Sequence, residues 1–281
     1  MVNINGELVN SEHSKISYLN RGFQYGDALF ETIRVINSKV IFWETHYFRL
    51  MSSIRLLRMK IPMEFSPEFL EKKILELIKE NDLDQKPAKV KININRKPGG
   101  LYKPEIRDID YIISCEAIEN PFFTLEDRFY EIELFKDHFV NSGLLSTLKT
   151  NNKLVNILAC IYADENGYDN CILLNEKKSV IEFTNANIFL VKGNTIKTPP
   201  LSDGCLRGVV REKLIEIIKK SEEFELKEES ISPFELQKAD EMFMTNAIKG
   251  IQTVSKYRKK EYKSKVAKSF VGKLNAQARL A

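Results

Sequence analysis

The chain has 281 residues, 43% of them hydrophobic and 29% charged, which is enough to bury one large core or two modest ones. Its formal net charge is +4 with both signs mixed along the sequence, too small a bias to argue for nucleic-acid or membrane binding. The four cysteines form no CxxC pair and no histidine cluster accompanies them, so neither a zinc site nor a disulfide framework is indicated.

In chain order, the opening MVNINGELVNSEHSKI carries no basic segment followed by an apolar one, so no signal peptide is read there. No apolar run approaches the roughly 18 residues of a membrane span, and the expectation is a soluble cytoplasmic protein with reduced thiols. VIFW reads as a short apolar strand. A helix follows from about Glu44, with Leu50, Ile54 and Leu57 on one face. Ser66 and Pro67 suit the N-cap and first position of a second helix, whose buried stripe is Leu70, Ile74, Leu77 and Ile78. KVKININR alternates as a half-buried strand, DYIISCEAI is another, and KPGGLYKP between them is a loop.

IENPFFTLEDR reads as a linker, which gives a small α/β domain over 1–118, a linker over 119–128 and a larger, strand-rich domain over 129–281. In the second half, EIELF, NCILLN, SVIEFTNANIFLVKG and NTIKTPP are β segments, with hairpin tips at EKKS and Gly193–Asn194. A helix begins after CLRG with Val210, Leu214, Ile217 and Ile218 inward, and a short one opens at Ser232–Pro233. EMFMTN and IQTVSKYRKKEY return to strand, and a helix closes the chain. The fold class is α/β (α+β) in two domains. The basic run KYRKKEYKSKVAK reads as a solvated strand end and helix.

Four features could carry chemistry. Lys149, in LKTNNKL, would serve as a Schiff-base amine if its surroundings favoured the free base. Taken alone, it reads as a surface lysine near a helix start. Glu182 interrupts an apolar strand, where alternation puts it on one face with Thr184 and puts Ile181 and Phe183 on the other. A half-exposed strand explains it, and so does a carboxylate aimed at a heterocyclic nitrogen. Gly208 precedes a helix, so the amides of Val209 and Val210 form a natural phosphate site. Arg49 shares a helix edge with His46, and its planar fork suits either a phosphate or a surface ion pair.

The order of the motifs says more than any one of them. RGFQYGDALFETIRV, HYFRL, LKTNNKL, IEFTNANIF, LRGVVRE and ADEMFMTNAIKGI together resemble the fold-type IV pyridoxal-phosphate enzymes, the class IV aminotransferase family, over nearly the whole chain. The resemblance implies pyridoxal 5'-phosphate as cofactor, a small amino-acid-like substrate and a homodimer. It implies that Lys149 carries the cofactor as a Schiff base and moves the α-proton, and that Glu182 pairs with the pyridine nitrogen. Arg49, Gly208, Val209 and Val210 would hold the phosphate, Leu206 would pack on the ring, and Asn187, Asn246 and Ala247 would complete the cofactor contacts. Tyr25, Arg96, Tyr102 and Lys103 are the candidates for substrate binding. Val210 and Ala247 stand where relatives often carry threonine, so two phosphate hydroxyls are missing.

Within the family, three positions lean toward 4-amino-4-deoxychorismate lyase, which releases p-aminobenzoate for folate synthesis. Thr32 stands where branched-chain aminotransferases tend to have glycine and is implied in proton handling. Leu154 stands where they usually have tyrosine, and TNAIKGI is similar to the lyase ending. A branched-chain or other amino-acid aminotransferase is the alternative, and a non-catalytic cofactor-binding or scaffold protein a remote third. Leu101 departs from the lyases, which often carry arginine after the paired glycines.

Overall fold

The computed structural model describes residues 1–280, which fall into two compact units. The first comprises Met1–Pro121 together with Lys149–Asn152, and the second Phe122–Leu148 together with Lys153–Leu280. Among the described residues no helix is long and apolar enough to cross a membrane.

The first unit is built from β1 (Val2–Ile4), β2 (Glu7–Val9), α1 (Arg21–Tyr25), β3 (Ala28–Ile36), β4 (Lys39–Val40), α2 (Trp43–Leu56), α3 (Pro67–Glu80), β5 (Ala88–Arg96) and β6 (Ile109–Ala117). The strands form one sheet in the order β2-β1-β6-β5-β3-β4. Alternation decides its two faces. Leu29, Ile33 and Val35 of β3 join Val90, Ile92 and Ile94 of β5 in a core closed by Leu50 and Ile54 of α2 and Leu70, Ile74, Leu77 and Ile78 of α3. Each such side chain contributes about 1.5–3 kcal/mol on burial, so this face fixes the register. Phe30 and Thr32 of β3, with their cross-strand partners Asn93 and Lys91, occupy the other face. α3 starts as expected, with Ser66 accepting from Phe69 N–H and Pro67 at the first turn. VIFW differs from its expected strand: only Lys39–Val40 pairs, and Phe42, at φ 55, turns the chain into a helix already under way at Trp43.

The second unit contains β7 (Glu131–Leu134), α4 (Leu154–Glu165), β8 (Asn170–Leu174), β9 (Val180–Phe183), β10 (Asn187–Lys192), β11 (Thr195–Thr198), α5 (Val209–Lys219), β12 (Glu225–Glu228), α6 (Pro233–Leu236), β13 (Glu241–Asn246), β14 (Gly250–Thr253), β15 (Lys256–Tyr257), β16 (Lys260–Glu261) and α7 (Lys265–Leu280). Its sheet runs β12-β11-β10-β9-β8-β7-β15-β16, with β13 also pairing β10 and continuing into β14. SVIEFTNANIFLVKG is two antiparallel strands, β9 and β10, because the chain turns at 184–186. Ala159 and Ala163 of α4 pack over Cys171, Leu173, Ile181 and Cys205 on one side of this sheet. Ile172, Leu174, Val180, Phe183 and Ile188 build the core on the other.

The segment 149–152 was expected in the second domain. Backbone bonds instead seat it on β3: Phe30 N–H donates to Lys149 O at 2.9 Å and Asn151 N–H to Ala28 O at 3.0 Å. The apolar helix that follows hides this attachment from a reading of the sequence, since periodicity describes Leu154 onward and is silent about an irregular segment.

Candidate active site

Lys149 lies half-buried beside the start of β3. Its Nζ stands 4.6 Å from the centre of the Phe30 ring, and Lys91 Nζ stands 4.8 Å from the same ring. Thr32 is one pleat further along β3, directly opposite Lys91. One sheet face therefore carries two amines, an aromatic platform and a hydroxyl. Lys91 was missed in the sequence; its signal was the polar half of the alternation Lys89, Lys91, Asn93, Asn95.

Glu31 points to the opposite face, where α2 covers it. It is 1% exposed. Arg49 donates Nε to Oε1 and Nη2 to Oε2, both at 2.6 Å, and His46 Nδ1 is 2.8 Å from Oε2. Burial raises the Glu31 carboxyl, but the charge of Arg49 and the bonds from His46 and Arg49 outweigh it and hold it down at about 2. His46 lies below its ordinary value, first through burial and further through the charges of Arg49 and Lys149, against the pull of Glu31. Arg49 is thus not a surface ion pair. Its guanidinium is buried and oriented by Glu31, a partner the sequence reading did not name.

In the second unit a polar row crosses three strands. Glu182 of β9 pairs with Asn187 of β10, and Asn187 with Thr245 of β13, so all three side chains share one face. The expected faces of β9 need correction. Leu174 pairs with Val180 but Leu173 with Glu182, a bulge that leaves Ile181 as the extra residue. Ile181 consequently faces away from Phe183, toward Leu173 and Cys205. The carboxylate is fixed by the loop above it: Leu206 N–H donates to Glu182 Oε2 at 2.9 Å, and Asn187 Nδ2 donates to Leu206 O at 2.8 Å. Glu182 also acts on the half-buried Lys153, whose amine burial pushes below the lysine range while that carboxylate pulls it back.

The same loop leads into α5. Gly208 is its N-cap and offers no side-chain acceptor. A Cβ at Gly208 would overlap Asn187 Oδ1, so glycine is required where the chain passes Asn187. The first-turn amides of Val209 and Val210 are buried at the positive end of an eleven-residue helix. Thr245 Oγ1, buried in the polar row, has no hydrogen-bond partner among the described residues. It was overlooked because it sits in an apolar strand. Asn246, by contrast, uses Oδ1 to accept from Ile248 and Lys249 N–H at 3.0 and 2.8 Å, shaping the β13–β14 turn with Ala247 inside it.

The candidate substrate residues separate into two kinds. Arg96 is 7% exposed and donates to Asp27, to Leu57 O and to Arg58 O. A guanidinium committed to internal acceptors is a strut, not an anion trap. Tyr25 and Tyr102 pair at 5.8 Å between ring centres, and Tyr102 and Lys103 are exposed. The buried thiols of Cys171 and Cys205 are pushed up to about 12 by burial, which makes them poor nucleophiles at neutral pH. Among the described residues no cluster of His, Cys, Asp and Glu could hold a metal ion.

The chain is similar to known proteins over most of its length. The Amino-transferase class IV family profile matches residues 28–257. A provisionally named branched-chain-amino-acid aminotransferase of Methanocaldococcus jannaschii is 32% identical over 242 residues, covering 86% of this chain and 82% of that protein. An aminodeoxychorismate lyase of Vibrio harveyi is 28% identical over 238 residues, covering 84% and 85%. The crystal structure of the branched-chain aminotransferase from Thermoproteus uzoniensis with norvaline superposes with a TM-score of 0.88 at 25% identity, covering 97% of this chain and 92% of that one.

Proposed function

The chain belongs to the class IV aminotransferases, and from that premise we propose that it is a lyase converting 4-amino-4-deoxychorismate to p-aminobenzoate and pyruvate. Class IV aminotransferases are pyridoxal-phosphate enzymes, which sets the scaffold reading aside. The residues present fit that cofactor: an amine over an aromatic ring, a carboxylate held by Leu206 N–H, a helix start that admits only glycine beside Asn187, and a locked guanidinium.

When bound, pyridoxal phosphate supplies an electron sink that stabilises negative charge at the substrate α-carbon. Lys149 would hold the cofactor covalently through its amine, and that amine, when free, would be the base for the α-proton. Glu182 would pair with the pyridine nitrogen and keep it protonated. Arg49, held by Glu31 through Nε and Nη2, and the amides of Val209 and Val210 would bind the phosphate, and Leu206 would pack on the ring. Lys91 replaces Arg96 as the proposed cation for a substrate carboxylate, because it lies on the Lys149 face and makes no ion pair among the described residues.

The observation that carries the lyase reading is Thr32. Strand alternation puts its hydroxyl on the face of Phe30 and Lys149, where it would serve proton transfer. The similarity to the Vibrio harveyi lyase and the absence of a phenol at Leu154 support it. The second reading, a branched-chain transaminase, is favoured by the similarity to the Methanocaldococcus jannaschii protein. Purified protein is offered aminodeoxychorismate and, separately, branched-chain amino acids with 2-oxoglutarate. Release of p-aminobenzoate and pyruvate is the expected result. Efficient glutamate formation without p-aminobenzoate would falsify the lyase reading.

A homodimer is proposed on the surface of α4. Leu154, Ile157, Leu158 and Ile161 are 74%, 52%, 41% and 47% exposed and form one stripe at helical spacing. Sedimentation as a monomer at micromolar concentration would refute it. All four cysteines are free, which suits the proposed cytoplasmic setting.

A further inference from the structure

Arg21 opens α1 and is 3% exposed. Its Nε donates to Asp27 Oδ2 at 3.0 Å. Its Nη1 lies 3.0, 3.2 and 2.6 Å from the carbonyls of Gly99, Gly100 and Leu101. Three consecutive carbonyls converge on one nitrogen only in a tight turn. Gly99 and Gly100 make it, at φ 131 and 71, and a Cβ on Gly100 would overlap Lys103 O. A bridge from Gly100 to Pro104 closes the turn.

Asp27 ties this clamp to the reactive segment. Arg96 Nε donates to the same Oδ2 at 2.9 Å, and hydrogen bonds from Arg96 and Arg21 hold the carboxyl below its ordinary range despite burial. On the other side, Asn152 Nδ2 donates to Gly26 O at 3.3 Å and Asn151 N–H to Ala28 O. Residues 26–28 therefore bond the 149–152 segment directly and, through Asp27 and Arg21, hold the Gly99–Leu101 turn. The turn presents Leu101 and Tyr102 at 75% and 89% exposure, with Tyr25 against Tyr102 and the Arg21 guanidinium 5.0 Å from the Tyr25 ring.

We infer that Arg21 is a positioning residue: anchored by Asp27, it locks the Gly99–Leu101 turn and so fixes Tyr25 and Tyr102 as an aromatic edge that selects substrate. The substrate role of that edge rests on the function proposed above; the lock itself does not. Arg21 touches no reacting atom, so its removal loosens substrate binding and leaves the chemical step in place.

The test uses the holoenzyme and its Arg21→Gln, Arg21→Lys and Asp27→Asn variants. Arg21→Gln is expected to raise KM about 10–100-fold with kcat within about threefold of wild type, the pattern of lost binding without lost transition-state stabilisation. Arg21→Lys, which keeps a donor for the carbonyls, recovers part of the loss. Native-state chymotrypsin cleavage after Leu101 or Tyr102 is expected to accelerate at least about tenfold in Arg21→Gln and in Asp27→Asn, because release of the turn exposes it to the protease. Should Arg21→Gln fail to fold, the Arg21→Lys and Asp27→Asn arms decide. An unchanged cleavage rate, or equal falls in kcat and kcat/KM, overturns the proposal. A wild-type protein without a cofactor absorbance band would overturn the proposed function, while the cleavage assay still decides the lock.

Discussion

Replacing Glu31 by glutamine keeps the shape of the side chain and removes the charge that Arg49 and His46 surround. Glu31 accepts from both Nε and Nη2 of Arg49 at 2.6 Å in a site 1% exposed. Holding the carboxyl at about 2 instead of 4.5 corresponds to about 3 kcal/mol of stability at neutral pH. Breaking a buried pair from one side costs about 3–5 kcal/mol, because the remaining charge loses its partner. Both routes give a loss of about 3–4 kcal/mol at pH 7. The sign with pH follows from a depressed folded value: the contribution is complete above 4.5 and fades as pH falls toward about 2. The gap between wild type and Glu31→Gln should therefore narrow in that window. His46 adds acid sensitivity to the wild-type protein, since folding suppresses its protonation and stability declines as pH drops below 6.5. Urea unfolding followed by the fluorescence of Trp43, the single tryptophan and a residue of the helix that carries His46 and Arg49, reads this unit directly. A loss under about 1 kcal/mol at pH 7, or a gap unchanged from about pH 6 to pH 3, refutes the reasoning.

Lys91→Met keeps the stem over Phe30 and removes the charge; KM is expected to rise about 10–100-fold for the carboxylate-bearing substrate with little change in kcat, and an unchanged KM removes Lys91 from the site. Gly208→Ala sets a methyl against Asn187 Oδ1, so cofactor affinity, titrated by absorbance, should fall at least about tenfold; wild-type affinity would show that the helix start is not the phosphate cradle. Thr245→Val replaces a buried hydroxyl that has no hydrogen-bond partner among the described residues, and the cofactor-free protein should gain about 1 kcal/mol in urea unfolding; a loss of more than about 1 kcal/mol would mean the hydroxyl is satisfied.

The elements most legible in the sequence were those where a single period governs. α3 could be read from Ser66 to Ile78 because its cap, proline and apolar stripe agree, and β5 because every second residue is buried. What failed was non-periodic or set by distant partners. The bulge at Ile181 inverts a face that strict alternation assigns, and nothing local in SVIEF announces it. Lys149 was singled out from its motif, but the seat of its segment on β3 depends on backbone bonds to Phe30 and Ala28, more than a hundred residues away. Arg49 was expected at a phosphate, yet its orientation comes from Glu31, and burial of a Glu–Arg–His group cannot be read from spacing. Arg96 shows the converse: a loop-edge arginine suggested anion binding, and only the structure reveals that Asp27 and two carbonyls consume its donors.

Two lysines compete for the central role. Lys149 stands over Phe30, and Lys153, four residues on, is an amine that burial pushes below its ordinary range, beside Glu182. Borohydride reduction of the cofactor-loaded protein, followed by peptide mass mapping, separates them. The account predicts a reduced pyridoxyl-phosphate adduct on Lys149. An adduct on Lys153 or on any other lysine, or no adduct at all, would contradict it.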